Sequence, residues 1–91
     1  MSQKSLIIDT REPEEYHMSH VEGAINIPPM EFMRGVPKAL KDVPKDTQII
    51  VYCRTGQRSN TCGKLLGQAG YTNIVNGVNE HRVRVMLQSN S

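Results

Sequence analysis

The residues best suited to chemistry lie in one short loop that begins at Cys53. Five residues follow the cysteine in this loop: Arg54, Thr55, Gly56, Gln57 and Arg58. A thiolate is a strong nucleophile, and nearby arginines favour the thiolate over the thiol. Glycine lets the backbone curl so that successive N–H groups point toward an anion. The loop therefore predicts a nucleophilic cysteine that acts on a small anionic substrate.

Charge is distributed unevenly around this loop. Six of the nine acidic residues lie within residues 9–31, and none lies within residues 47–79, a stretch that holds Arg54, Arg58 and Lys64. A locally positive region suits a small anion, although arginines on an ordinary solvated face would give the same pattern. The net charge of +2 is too small to indicate nucleic acid or a membrane surface, so we expect neither partner.

The second cysteine has different surroundings. Cys62 shares an apolar repeat with Leu65, Leu66 and Ala69, at the spacing of one helix face. We therefore expect Cys62 to pack in the core rather than to react. A core role is also the alternative for Cys53, but the polar, doubly basic loop after it favours a functional role. The cysteines and histidines lack zinc-site spacing, so no metal is expected.

The flanking elements predict how the loop is held. A β-branched run over residues 48–52 leads into Cys53 and predicts a central strand buried on both faces. A helix is predicted over residues 59–68, so that it begins six residues after the cysteine. Ligands bind at the carboxyl ends of strands in open α/β sheets, and a helix N-terminus attracts anions. The side chains predicted to cap this helix are Ser59, Asn60 and Thr61.

The rest of the chain alternates strands with helices. Further strands are predicted over residues 6–8, 24–27 and 73–75, with a short helix after Pro13, a broken one over residues 30–40 and a last one over residues 78–87. We also expect a turn at Asn76-Gly77 and a frayed tail over residues 88–91. This order indicates an α/β protein with a parallel sheet, and 91 residues are enough for one domain, residues 1–91.

No apolar run approaches the roughly 20 residues that a membrane-spanning helix needs. The first residues also lack the apolar segment of a signal peptide. A cytoplasmic location is therefore expected, and a periplasmic one stays open if an export signal has been removed.

Three separate motifs resemble those of single-domain rhodaneses, which are thiosulfate sulfurtransferases. They are the loop at residues 53–59, the stretch Ile8-Asp9-Thr10-Arg11-Glu12-Pro13-Glu14-Glu15-Tyr16, and the stretch His20-Val21-Glu22-Gly23-Ala24-Ile25-Asn26-Ile27-Pro28. Their order and spacing also fit, and the likeness covers about residues 6–77. The chain also resembles the phage-shock-protein-E type of this family. The resemblance implies a three-layer fold, in which a small parallel sheet of four to five strands carries helices on both faces.

The resemblance also implies a mechanism without a cofactor. The Cys53 thiolate would attack the outer sulfur of thiosulfate, release sulfite and keep the sulfur as a persulfide. Cyanide or a cellular thiol would then accept it. The substrate-binding residues implied are Arg54, Thr55, Gly56, Gln57, Arg58 and Ser59, and the protein is expected to act as a monomer.

Other motif residues are expected to be structural. In the family, the pair equivalent to Asp9 and Arg11 lies beneath the active loop, and Arg11 is expected to pair with Glu15 or Glu22. His20 is expected to pack near the turn that precedes the second strand. The sequence departs from the family at Ser19, where a glycine is usual, and in the segment Val78-Asn79-Glu80-His81, which lacks a second glycine after Gly77 and borders the active pocket in relatives.

Two other functions stay open. Cysteine phosphatases and arsenate reductases of this fold place five residues between cysteine and arginine, whereas Cys53 and Arg58 are separated by four, which favours attack on sulfur. A non-catalytic rhodanese-like regulatory module is the second alternative. Such modules commonly lose the cysteine, which is present here.

Overall fold

Four short strands form an entirely parallel sheet in the computed structural model, which describes residues 5–89. The strands are β1 (Leu6–Asp9), β2 (Ile25–Asn26), β3 (Ile49–Tyr52) and β4 (Ile74–Val78). Their spatial order is β2-β1-β3-β4, so β3 has a hydrogen-bonded neighbour on each side. The predicted parallel sheet with a buried central strand is confirmed.

The helices follow the predicted alternation with the strands. They are α1 (Pro13–Met18), α2 (Pro29–Met33), α3 (Gln57–Gln68) and α4 (Glu80–Ser89), with a 3-10 helix at Lys38–Leu40. The predicted broken helix over residues 30–40 is therefore confirmed, since α2 and the 3-10 helix are separate. No helix within residues 5–89 is long and apolar enough to cross a bilayer.

Two hydrophobic cores cover the two faces of the sheet, because successive strand residues point to opposite sides. One core combines Ile8, Ile49 and Val51 with Phe32 of α2 and Cys62 and Leu66 of α3. The other combines Ile7, Ile50 and Tyr52 with Val21, Ala24 and Val83 of α4. The sheet is therefore the middle of three layers, and both cores end where β3 delivers Cys53.

The predicted turn at Asn76-Gly77 is wrong, because β4 continues through both residues to Val78. Gly77 instead lies where α4 and the sheet come close together. A Cβ atom there would clash with Val83 of α4 and would lie 3.0 Å from Cγ2 of Ile50. The glycine thus lets α4 pack directly on the sheet.

Some predicted boundaries also differ from the structure. The second strand is limited to Ile25–Asn26, and α3 begins at Gln57 rather than at residue 59. The last helix begins at Glu80 instead of residue 78 and extends to Ser89, so the predicted fraying at residues 88 and 89 is wrong. The rest of that predicted tail, residues 90–91, lies outside the described residues.

Candidate active site

Cys53 lies at the carboxyl end of β3, at the edge of the sheet where the sequence predicts a ligand site. Its backbone N–H donates to the carbonyl oxygen of Val78 at 3.1 Å, which ties it to the neighbouring strand. The residue is only 2% exposed. Because every residue of β3 is buried, the strand fixes the cysteine on the rigid centre of the fold.

Gly56 turns the chain from Cys53 into α3. It is the N-cap of α3 and has a φ of +93°, a left-handed conformation that glycine adopts without penalty. Its N–H donates to the Cys53 sulfur at 3.1 Å. The predicted side-chain caps are wrong: Ser59, Asn60 and Thr61 lie inside the helix, since the first helical bond joins Asn60 N–H to the Gly56 carbonyl at 2.9 Å.

This tight entry into the helix aims several N–H groups at the cysteine sulfur. Burial raises the pKa of the Cys53 thiol. The Ser59 hydroxyl and the backbone N–H groups of Ser59, Gly56 and Thr55 outweigh that effect and lower the pKa to about 7. About half of the Cys53 side chains are therefore thiolates at neutral pH, which is the reactive form.

Ser59 belongs to a small hydrogen-bond network that the sequence did not reveal. Its Oγ lies 3.6 Å from the Cys53 sulfur and 2.7 Å from Oδ1 of Asn76, so its single hydroxyl proton is shared between these two acceptors. Nδ2 of Asn76 in turn donates to the Gly56 carbonyl at 3.1 Å. Asn76 thus joins β4 to Gly56 and to the first turn of α3. One signal was available, because asparagine is disfavoured in strands and stands here at a strand's carboxyl end.

The two loop arginines also contact the carboxylate of Glu15. Nη1 of Arg58 lies 3.0 Å from Oε1 of Glu15 in α1, and Nε of Arg54 lies 3.6 Å from Oε2 of the same carboxylate. The hydrogen bond with Glu15 raises the pKa of Arg58, and the nearby charge of Cys53 adds to this rise. The positive region that the sequence predicts is thus partly neutralised by a residue from the acidic segment.

Asp9 and Arg11 form a buried ion pair behind the end of β3. Nη2 of Arg11 lies 2.7 Å from Oδ2 of Asp9, and the same carboxylate oxygen accepts the Tyr52 hydroxyl at 3.1 Å. The expected pairing of Arg11 with Glu15 or Glu22 is wrong, because Nη1 of Arg11 reaches Glu80 at 3.2 Å instead. The hydrogen bond to Asp9 raises the pKa of Arg11. The ion pair therefore links Tyr52, the residue before Cys53, to Glu80 of α4.

The side chains of the other candidate residues lie away from the Cys53 sulfur or pack elsewhere. The side chains of Thr55 and Gln57 are exposed on the loop surface, and His81 is exposed on α4. His20 stacks on the ring of Tyr16 with 3.8 Å between centroids, and its Nδ1 lies 2.8 Å from the Tyr16 carbonyl. His20 is therefore engaged in packing within the segment that connects α1 to β2.

Cys62 is buried in the core beside Leu66, as the helical spacing predicts. Burial raises the pKa of its thiol to about 11, and the charge of Cys53 contributes to the rise. Cys62 is therefore a neutral packing residue at physiological pH.

Comparison with known proteins places this geometry in a family. The sequence pattern of the rhodanese-like domain matches residues 1–79. The chain belongs to the rhodanese-like domain family. It is 41% identical over 69 residues to the thiosulfate sulfurtransferase PspE of Escherichia coli K12, a match that covers 76% of this chain and 64% of that protein. It is 33% identical over 81 residues to the thiosulfate:glutathione sulfurtransferase of Saccharomyces cerevisiae, covering 75% of this chain and 55% of that protein.

Solved rhodaneses have the same architecture. A structure described as a rhodanese with anions from E. coli superposes with a TM-score of 0.75 at 34% identity, covering 87% of this chain and 91% of that one. The human single-domain sulfurtransferase TSTD1 gives a TM-score of 0.69 at 24% identity, covering 96% of this chain and 84% of that one, and supports the fold alone. The predicted rhodanese-like three-layer fold is confirmed. The chain spans under two thirds of the length of the two sulfurtransferases matched by sequence.

Proposed function

We propose that this rhodanese-like protein is a thiosulfate sulfurtransferase that carries sulfur as a persulfide on Cys53. The observation that carries the proposal is the Gly56 N–H, 3.1 Å from the Cys53 sulfur, which together with the Ser59 hydroxyl and the N–H groups of Ser59 and Thr55 lowers the pKa to about 7. Such an arrangement stabilises a nucleophilic thiolate before attack and an anionic persulfide after it. The matched sulfurtransferases from E. coli and yeast support the same reaction class.

The reaction has two steps on one sulfur atom. In the first step, the Cys53 thiolate attacks the outer sulfur of thiosulfate, the S–S bond of thiosulfate breaks, and sulfite leaves with the bonding electron pair. In the second step, cyanide or a thiolate attacks the outer sulfur of the persulfide and returns the electron pair to Cys53. No general base is needed, because the thiol is already half ionised at neutral pH.

The loop arginines would bind the sulfonate end of the donor. Arg58 and Arg54 both contact the Glu15 carboxylate, so an incoming dianion competes with Glu15 for the two guanidinium groups. The loop residues that we assign to substrate binding are Arg54, Thr55, Gly56, Gln57, Arg58 and Ser59. Asp9 and Arg11 support the loop indirectly, through the Asp9 hydrogen bond to the Tyr52 hydroxyl. We further propose that the protein acts in the cytoplasm as a monomer.

A comparison of two reactions tests this assignment against a phosphatase. Only four residues separate Cys53 from Arg58, one fewer than in the cysteine phosphatases of this fold. Purified protein should release sulfite from thiosulfate in the presence of cyanide and should release little phosphate from an aryl phosphate. Cys62→Ser should keep the sulfite release and Cys53→Ser should lose it. Dominant phosphate release, or full sulfur transfer by the Cys53→Ser variant, would contradict the proposal.

A further inference from the structure

Val78 has an unusual backbone conformation beside the active loop. Its φ of +74° makes it the one residue other than glycine with a positive φ within residues 5–89. A β-branched side chain in the left-handed region is strained, because its Cβ substituents crowd the backbone. Strain of this kind persists only where surrounding contacts enforce it, and it is concentrated at functional sites.

The contacts that hold Val78 come from the active site itself. The pairing of β3 with β4 shifts between Val51, opposite Asn76, and Tyr52, opposite Val78, so the strand is bulged at Gly77. The N–H of Val78 donates to Oδ1 of Asn76 at 3.0 Å. Its carbonyl accepts the N–H of Cys53 at 3.1 Å. A bulge redirects the side chain that follows it, and here that side chain is the isopropyl group of Val78.

The isopropyl group lies against the turn that surrounds the cysteine sulfur. A Cβ atom placed on Gly56 would lie 3.3 Å from Cγ1 and 3.6 Å from Cγ2 of Val78. Gly56 is the residue whose N–H reaches the Cys53 sulfur, and Cys53 is only 2% exposed. Val78 therefore packs beside the residue whose N–H binds the nearly covered sulfur, at the carboxyl edge of the sheet where an acceptor has to reach Cys53.

We propose that Val78 is a specificity-determining residue that favours slender acceptors over bulky thiols at the persulfide, an inference that rests on the proposed sulfurtransferase function. Transfer to either kind of acceptor has the same electron balance. The nucleophile forms a bond to the outer sulfur, the S–S bond breaks, and Cys53 recovers the electron pair as a thiolate. The acceptors differ in width, and the two methyl groups of Val78 lie beside the Gly56 turn that holds the sulfur.

Three variants of Val78 separate the shape of the side chain from its other effects. Val78→Gly removes the whole side chain, Val78→Ala removes both methyl groups and keeps Cβ, and Val78→Thr keeps the branched shape. Each protein is loaded on Cys53 with thiosulfate, freed of excess donor, and mixed with cyanide or with glutathione. The measured quantity is the ratio of the two second-order rate constants for sulfur transfer.

Val78→Gly, which removes three carbon atoms, is expected to raise the glutathione-to-cyanide ratio about tenfold, the lower end of the effect of one methylene group in a pocket. Val78→Ala should give a smaller rise, and it tests the inference independently if Val78→Gly fails to fold. Val78→Thr should keep the wild-type ratio. Normal loading with an unchanged ratio in the glycine and alanine variants would overturn the role of Val78 alone. A wild-type protein that takes up no sulfur would overturn the proposed function as well.

Discussion

Cys53 and Cys62 are separated by nine positions in the sequence and are equally hidden, at 2% and 1% exposure, yet their chemistry is opposite. The pKa of Cys53 is lowered to about 7, whereas the pKa of Cys62 is raised to about 11. Burial raises the pKa of both thiols. Only Cys53 has hydrogen-bond donors that compensate for the loss of water.

The difference comes from where each residue stands relative to α3. Cys53 precedes the helix and receives N–H groups of its first turn, which have no partner within the helix. Cys62 lies inside the helix, where backbone N–H groups are already bonded to carbonyls four residues earlier. The reactivity of a cysteine in this protein is therefore set by the hydrogen-bond donors available to its sulfur rather than by its exposure to solvent.

The comparison predicts a large difference in alkylation rate between the two cysteines. At pH 7 about half of Cys53 and about one in 10⁴ of Cys62 are thiolates, a ratio of about 5,000. The lower nucleophilicity of a less basic thiolate reduces this ratio to about 100. Timed treatment of the folded protein with iodoacetamide, followed by peptide mass spectrometry, measures both rates.

Unfolded protein is the control for that measurement, because both cysteines should then react at similar rates. Equal rates in the folded protein would contradict the account of how the loop activates Cys53.

Removing one hydrogen-bond donor from the Cys53 sulfur should reduce the difference in reactivity between Cys53 and Cys62. Ser59→Ala is expected to raise the pKa of Cys53 and to slow its alkylation at pH 6 about tenfold, near the lower end for a hydrogen bond to a charged group. The lower end applies because the Ser59 hydroxyl is shared with Asn76. Thr61→Ala, which removes an exposed hydroxyl from the same helix, should leave the rate unchanged. An equal loss in both variants would point to general damage to α3 instead of a lost donor.

The pH dependence should follow the thiolate population of Cys53. Because the thiolate is the nucleophile, sulfite release under limiting thiosulfate should rise with pH, by about fivefold between pH 6 and pH 7, and level off above pH 8. Initial rates in constant-ionic-strength buffers measure the profile. A rate that still rises about fivefold between pH 8 and pH 9, as for a thiol with the ordinary pKa of 9.0, would mean that the loop does not lower the pKa of Cys53.

The smallest expected effect concerns the competition between Glu15 and the donor. Glu15→Gln removes the charge that pairs with Arg58 and Arg54, and we expect the KM for thiosulfate to fall about threefold with kcat unchanged, as for a partly exposed ion pair. Glutamine keeps the acceptor for the Glu12 N–H that begins α1. Glu14→Gln, at the exposed neighbouring position, is the matched control. A higher KM in Glu15→Gln would show that Glu15 positions the arginines for the donor.

The sequence predicted the elements whose signals are local. The β-branched run before Cys53, the apolar face that contains Cys62 and the interrupted helix over residues 30–40 all have the periodicity of the structures observed. The start of α3 was misplaced, because a left-handed glycine at position 56 caps the helix without any side-chain signal. Gly77 was misassigned to a turn, because its role is a contact with Val83 that is distant in sequence.

The parts of the site that escaped prediction are those built by the fold. Glu15 reaches Arg58, 43 positions away, and Asn76 reaches Ser59, 17 positions away. Nothing in the local sequence distinguishes Glu15 from the other acidic residues of its segment. The strain at Val78 likewise depends on the register between β3 and β4, which only the assembled sheet defines.

The most direct test of the central claim is the mass of the intact protein after treatment with thiosulfate. We expect one added sulfur atom, located on Cys53 by peptide mapping and removed by cyanide. Cys62→Ser should gain the same sulfur atom, and Cys53→Ser should gain none. Sulfur found on Cys62, or no added sulfur on a protein that still produces thiocyanate, would contradict the persulfide on Cys53.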